Sequence, residues 1–135
     1  MSAAEAFFDT NVLLYLLSAD AGRADRAEDL LACGGVISVQ VLNEFAAVAT
    51  RKLRMDWAEV GDILTQVRAV CRVVPLTTET HDAALRLAAR YRLSLYDASI
   101  AAAALDAGCR ILYSEDMQHG QTFDRRLTVV DPFRP

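Results

Sequence analysis

Lysine is nearly missing from this chain: of 14 basic residues only Lys52 is a lysine, and the rest are arginines. Enzymes that transfer phosphate through an aspartyl-phosphate set a lysine beside the phosphoryl group. With one lysine, at the far end of an expected helix, that chemistry has no support. Long hydrophobic runs are also missing. The longest, such as Val12–Leu17 and Ile100–Leu105, are far too short to span a bilayer. The opening MSAAEAFFDT has neither a basic n-region nor a long apolar h-region, so no signal peptide is expected and the cytoplasm is the expected compartment. Cys33, Cys71 and Cys109 are odd in number and widely spaced. No CxxC or Cys/His ligand pattern links them, which excludes a zinc site or a disulfide framework. All three read as small buried hydrophobes. Positive charge is not in excess either. A net charge of −4 excludes a passive, charge-driven nucleic-acid binder, though not a nuclease with a local basic rim.

No repeat, low-complexity tract or Pro/Gly/Ser linker divides the 135 residues, so the whole chain, residues 1–135, is expected to form one domain. A hydrophobic content of 53% against 24% charged residues is that of a globular chain. Ala6–Phe8 reads as a short buried strand, followed by a helix from Asn11 to Leu17. Arg23–Cys33 is an amphipathic helix stopped by Gly34-Gly35, and Val36–Val39 reads as a second strand. A helix over Val41–Leu53 follows. Asp56 and Glu59 resemble a capping box opening the helix Trp57–Val70. Val73–Leu76 reads as a strand, with Thr78 capping a helix through Arg90. Tyr96–Ala107 is apolar on nearly all sides and should be a buried helix ended by Gly108. Arg110–Tyr113 and Leu127–Val130 complete the strands. Alternating strands and helices predict an α/β fold with a mostly parallel central sheet flanked by helices.

Most of the 18 acidic residues lie on polar helix faces. Three do not: Asp9 within FFDTNVLLYLL, Glu44 within VLNEFAAV and Asp97 within LYDASIAAAAL are charges embedded in apolar sequence. A fourth, Asp116 in SEDMQHG, leaves the apolar strand ending at Tyr113. An unpaired buried carboxylate is costly, so such residues should be paired, protonated or bound to a cation. Asp9 and Asp116 follow strands and Glu44 opens a helix after one. Asp97 opens a helix whose N-terminus lies at the same end of the sheet, where open α/β sheets place their sites. Four converging carboxylates without a basic partner suit a hard cation such as Mg²⁺ or Mn²⁺. Each residue has a plainer reading. Asp9 and Asp97 could cap helices, Glu44 could pair with an arginine such as Arg110, and Glu115-Asp116 could be a solvated loop. Among the histidines, His81 reads as structural, and His119 as either a solvated loop residue or a contact to a substrate phosphate.

The ordered set Asp9-Thr10-Asn11, Asn43-Glu44-Phe45, Tyr96-Asp97-Ala98 and Ser114-Glu115-Asp116 resembles the PIN-domain ribonucleases. It looks most like the VapC-type toxins of toxin–antitoxin pairs, and the resemblance covers essentially the whole chain. It implies a PIN-like domain and an Mg²⁺- or Mn²⁺-dependent endoribonuclease that hydrolyses RNA phosphodiesters. A homodimer silenced by a cognate antitoxin protein is implied as well. Residue by residue, Asp9, Glu44, Asp97 and Asp116 take the family's catalytic acidic positions. Asp9 and Asp97 would be the principal metal ligands, and Glu44 and Asp116 ligands or water-holders. Asn11 and Ser114 match the supporting polar positions. Glu115 is the second choice for the fourth carboxylate, because its side chain should alternate to the other direction from that of Asp116, and where some members carry a further acid or amide this chain has His119-Gly120.

Arg51, Lys52 and Arg54 form a candidate basic rim for RNA, or simply complement a helix end. Apolar stripes on Val41–Leu53 and Trp57–Val70 exceed what a thin sheet covers, which predicts the dimer and a groove for an antitoxin helix. A non-catalytic interaction module on the same scaffold is the rival from another class. It would be expected to have lost at least one of the four carboxylates.

Overall fold

The computed structural model of the chain describes residues 5–135. The leader reading of the first residues falls partly outside them. β1 (Ala6–Phe8) leads into α1 (Thr10–Leu14), whose last turn tightens to a 3₁₀ turn over Tyr15–Leu17; α2 (Ala21–Ala32) follows. Then come β2 (Gly35–Ser38), α3 (Val39–Arg51), α4 (Trp57–Val70), β3 (Cys71–Val74) and α5 (Thr78–Tyr91). α6 (Leu95–Asp106), β4 (Ile111–Tyr113), β5 (Thr122–Phe123) and β6 (Leu127–Val130) complete the order. The strands form one sheet in the order β3-β2-β1-β4-β6-β5, parallel throughout except for the antiparallel pair β5–β6. The α/β expectation is met.

Strand order runs outward from β1 on one side and from β4 on the other. The crevice beyond their carboxyl ends is therefore the topological switch point. β1 and β2 approach unusually closely beside Phe8. A Cβ at Gly35 would collide with the Phe8 ring and lie 2.7 Å from the Ala6 carbonyl oxygen, so only glycine fits there. The Phe8 ring in turn stacks on Tyr113 of β4, 5.7 Å between centroids. α6 is built of small residues, and Ala98 and Ile100 through Leu105 are all buried against β2, β6 and α5.

Several local expectations shift. β3 starts at Cys71, directly from α4, and ends before Pro75, which has no N–H to donate to a ladder. Thr77, not Thr78, caps α5 by accepting from the Thr80 N–H. The Asp56–Glu59 capping box of α4 is present on both sides. The two-residue strand β5 carries too little pattern to announce itself. Cys71 and Cys109 are buried, but Cys33 is exposed, because it is the C-cap of α2 and lies beyond that helix's buried face. The apolar stripe of α3 is not open: Val41, Phe45 and Ala49 are fully buried.

Candidate active site

Asp9 closes β1. Its backbone N–H donates to the Tyr113 carbonyl at 2.9 Å, which carries the β1–β4 ladder one residue further and aims the side chain into the crevice. Oδ1 accepts the Thr10 N–H at 2.7 Å, so Asp9 does cap α1. Oδ2 accepts the Ser114 hydroxyl at 2.8 Å and the Asn11 amide at 3.4 Å. Ser114 is fully buried at the end of β4, and its oxygen also accepts the Met117 N–H at 3.2 Å. The Asn11 carbonyl oxygen accepts the Glu115 N–H at 3.2 Å. Asn11 and Ser114 thus tie the loop after β4 to the carboxylate after β1, which is an orienting role.

Glu44 stands on the second turn of α3. Its Oε1 accepts the Thr10 hydroxyl at 3.0 Å and the Gln40 amide at 3.1 Å, and Gln40 also donates to the Tyr96 carbonyl at 3.2 Å. Gln40 links α3 to the start of α6. Neither Thr10 nor Gln40 was singled out from the sequence. The signal for Gln40 was its position four residues before Glu44 on one helix face. Asp97 is half-buried in the first turn of α6. Ser94 is that helix's cap, accepting the Asp97 N–H at 3.1 Å, so the capping alternative for Asp97 does not hold. Glu44 does not pair with Arg110 either. Among the described residues the ion pairs are Arg23–Asp20, Arg23–Glu115, Arg72–Glu5 and Arg90–Asp124. None involves the four carboxylates.

Asp9, Glu44, Asp97 and Asp116 all line one cleft of about 200 Å³, floored by Leu14, Val48 and Ile100, with no basic side chain in its wall. The electrostatic consequence is visible at Asp9. Burial pushes its pKa from 3.8 to about 6; the Ser114 and Thr10 hydrogen bonds oppose this, and the Asp116 and Asp97 charges add to it. Asp97 is also raised, by burial and then by the charge of Asp116. Larger concavities lie elsewhere, but they lack this convergence of like charge. Among the described residues no three carboxylates are already closed on one point as a finished metal cage. The donor chemistry nonetheless fits a hard cation: oxygen ligands only, mutually repelling, without a cationic side chain to neutralise them.

Glu115 is engaged elsewhere. It ion-pairs with Arg23 of α2 and accepts the Tyr15 hydroxyl, while Arg23 also donates to the Tyr15 oxygen at 2.7 Å. Arg23 lies over the rings of Tyr15 and Phe133, 4.9 and 5.5 Å from their centroids. Asp116, the next residue, lines the cleft instead. His119 is exposed and accepts the Asp131 N–H on Nδ1 at 3.0 Å, a structural contact. Arg51 ends α3, Lys52 caps it and Arg54 follows. Arg51 lies about 10 Å along the helix from Glu44, and none of the three lines the cleft.

The PIN domain model matches residues 6–126, nearly the whole described chain and every residue of the cleft. The chain belongs to the PIN-domain family. Among solved structures, this PIN domain is similar to the Mycobacterium tuberculosis toxin VapC20, described as cleaving the sarcin–ricin loop. Identity is 24%, with 82% of this chain and 89% of that chain covered and a TM-score of 0.67. A toxin–antitoxin complex from Klebsiella pneumoniae is similar over 96% of this chain and 99% of that one, at 20% identity and a TM-score of 0.72. VapBC2 from Rickettsia felis, bound to a DNA fragment from its promoter, matches at 16% identity, with 92% and 96% covered and a TM-score of 0.64. A sequence search of curated proteins returned no match. Among the described residues of this PIN domain, no helix is long and apolar enough to cross a membrane.

Proposed function

We propose that this PIN domain is a divalent-metal-dependent endoribonuclease acting as the toxin of a toxin–antitoxin pair. The observation that carries the reading is the single cleft at the β1/β4 switch point, where four carboxylates meet without a basic partner and Asp9 is held near pKa 6. The likeness to VapC-type structures supports the toxin reading. Asp9 and Asp97 would hold Mg²⁺ or Mn²⁺, with Glu44 and Asp116 as further ligands or water-holders. Bound there, the ion supplies a water of lowered pKa and neutralises charge on the phosphoryl oxygens. The chain's own part is positional. Ser114 and Asn11 fix Asp9 Oδ2, Thr10 and Gln40 fix Glu44, and the Arg23–Glu115 pair keeps the neighbouring Asp116 facing the cleft. Leu14, Val48 and Ile100 supply the apolar part of the lining.

For an antitoxin, the structure offers an apolar groove of about 500 Å³ between the 3₁₀ turn, α2 and α4, lined by Leu16, Leu17, Leu31, Ile63, Val67 and Val70. It lies on α4 as expected, but faces α2 because the stripe of α3 is buried. A homodimer is proposed from exposed apolar side chains, chiefly Trp57 at 72% and Tyr96 at 69% exposure. Sedimentation as a monomer at micromolar concentration would count against it.

The deciding experiment is cleavage of RNA by the purified chain with Mn²⁺ or Mg²⁺, with chelator, and with the Asp97→Asn variant. Metal-dependent cleavage that the variant loses supports the enzyme. Absence of cleavage under all conditions favours the interaction-module reading, to which the open spacing of the four carboxylates is the one favourable observation.

A further inference from the structure

A concentration of unused positive charge lies at the other pole of the sheet. Arg110 precedes β4, and Arg125 and Arg126 lead into β6. With Leu105, Gly108 and Cys109 they line a concavity of about 430 Å³ that contains no carboxylate. Arg110 and Ser114 bracket β4, so this pocket lies on the order of 13 Å from the acidic cleft along the strand. Among the described residues, none of the three guanidinium groups forms an ion pair or donates a hydrogen bond to the protein.

A structural duty for them would be to cap the C-terminal end of α6, which points the same way. Most of that end is already satisfied. The Ala103, Ala104 and Leu105 carbonyls accept from the Ala107, Cys109 and Gly108 N–H groups, and the Ala107 carbonyl accepts from Arg72.

The turn that delivers two of these arginines is strained. Between β5 and β6 the Arg126 N–H donates to the Phe123 carbonyl at 3.0 Å, and both central residues, Asp124 and Arg125, have positive φ, 50° and 58°. Such primed turns strongly favour Asn-Gly, and an arginine in the left-handed region is disfavoured. The strain is held in place from α5: the Tyr91 hydroxyl accepts the Asp124 N–H at 2.9 Å and donates to its carboxylate at 3.3 Å, and Arg90 pairs with the same carboxylate. A costly backbone, braced from a neighbouring helix, thus presents adjacent arginines with no protein partner.

We propose that the Arg110–Arg125–Arg126 pocket is a binding site for phosphate groups, separate from the acidic cleft. Guanidinium forks match phosphate oxygens bidentately, and three of them around one concavity give fixed donors without a competing carboxylate. The phosphate can come from a nucleic-acid backbone or from a small phosphorylated ligand, and the two sources are separable.

The test uses chelator throughout, so that it reports binding and is independent of the nuclease reading. Inorganic pyrophosphate is titrated by calorimetry and a cleavage-resistant 2′-O-methyl oligoribonucleotide by fluorescence anisotropy. The proteins are wild type, Arg125→Gly, the triple variant Arg110→Ala/Arg125→Gly/Arg126→Ala, and a charge-matched control at exposed arginines with no assigned role, Arg68→Ala/Arg86→Ala/Arg134→Ala. The triple variant should weaken pyrophosphate binding at least about tenfold, and a weakened oligonucleotide with a log–log salt slope smaller by about 2 would mean backbone phosphates. A loss confined to pyrophosphate would mean a small phosphorylated ligand. Arg125→Gly alone should bind more weakly yet melt higher, because it removes a side chain from a left-handed position. Unchanged binding of both probes by the triple variant, or an equal loss in the control, overturns the proposal.

Discussion

Arg23 of α2 and Glu115 of the loop after β4 form an ion pair that stands outside the cleft while fixing what stands inside it. Burial raises the Glu115 carboxyl, but hydrogen bonds from Tyr15 and Arg23 and the Arg23 charge outweigh it, so its pKa lies below the ordinary value. Its contribution to stability is therefore present above the usual carboxylate range and is lost as pH falls through the lowered value. Because Glu115 and Asp116 are adjacent, holding one side chain outward orients the other. Arg23→Ala should lower metal-dependent cleavage roughly tenfold to a hundredfold and raise the Mn²⁺ concentration needed for half-maximal rate, as expected for a residue that orients a ligand. The melting temperature should fall only slightly, since both partners are partly exposed. An unchanged Mn²⁺ requirement would remove Arg23 from the site.

Asp97 and Ser94 separate metal chemistry from helix capping. Ser94→Ala removes the cap of α6 and should cost about 1 kcal/mol while leaving cleavage largely intact. Asp97→Asn keeps the cap and the volume but removes a charge. It should leave the metal-free melting temperature equal or higher at neutral pH, because burial and Asp116 already disfavour that charge. Cleavage should drop at least about a hundredfold. Thermal melting and an RNA cleavage assay on both variants check this; the reverse pattern would make Asp97 structural.

Asp9, Glu44 and Asp97 were legible because a charge inside an apolar run is improbable without a reason, and the alternation of elements placed them at one end of the sheet. The outward direction of Glu115 was expected from alternation with Asp116, but its partner was not legible, because Arg23 lies 92 residues away and no local pattern joins them. The strained turn at Asp124-Arg125 was hidden for the opposite reason: its sequence lacks the Asn-Gly that such a turn prefers, and Tyr91 of α5 supplies the compensation. The groove beside α4 was expected, but its other wall depended on which face of α3 packs inward. Apolar residues cover enough of that helix to leave the direction open until tertiary contacts choose.

Gly35 tests the route by which β2 is brought beside β1. A methyl group there meets the Phe8 ring and the Ala6 carbonyl, and the carbonyl belongs to a strand that cannot shift without moving Asp9. Gly35→Ala should destabilise by about 3 kcal/mol, at the upper end of overpacking effects. Chemical denaturation measures it, and a loss under about 1 kcal/mol would show that β1 can give way.

Asp9 sets the pH dependence of the metal-free protein. Its folded pKa of about 6 lies above the ordinary 3.8, so the folded state holds this proton more tightly than the unfolded state does. Stability is then fullest below the unfolded value and declines as pH rises through the window between the two, by roughly 3 kcal/mol at about 1.4 kcal/mol per unit. Asp9→Asn abolishes that decline. It also replaces Oδ2, which accepts from Ser114 and Asn11, with an amide that faces the Asn11 amide. The lost acceptor costs about 1–3 kcal/mol at every pH. The two effects cross. With chelator, Asp9→Asn should be more stable than wild type by about 1 kcal/mol at pH 8 and less stable near pH 4. The low-pH loss of the Glu115 contribution is common to both proteins and cancels in the difference. Mn²⁺ should raise the melting temperature of wild type at pH 8 in a concentration-dependent way, because it binds only the folded state, and leave the variant nearly unmoved. Melting curves at both pH values, with chelator and with Mn²⁺, decide it. A variant less stable than wild type at pH 8, together with no Mn²⁺ shift in either protein, would reduce Asp9 to the cap of α1 and remove the shared metal site.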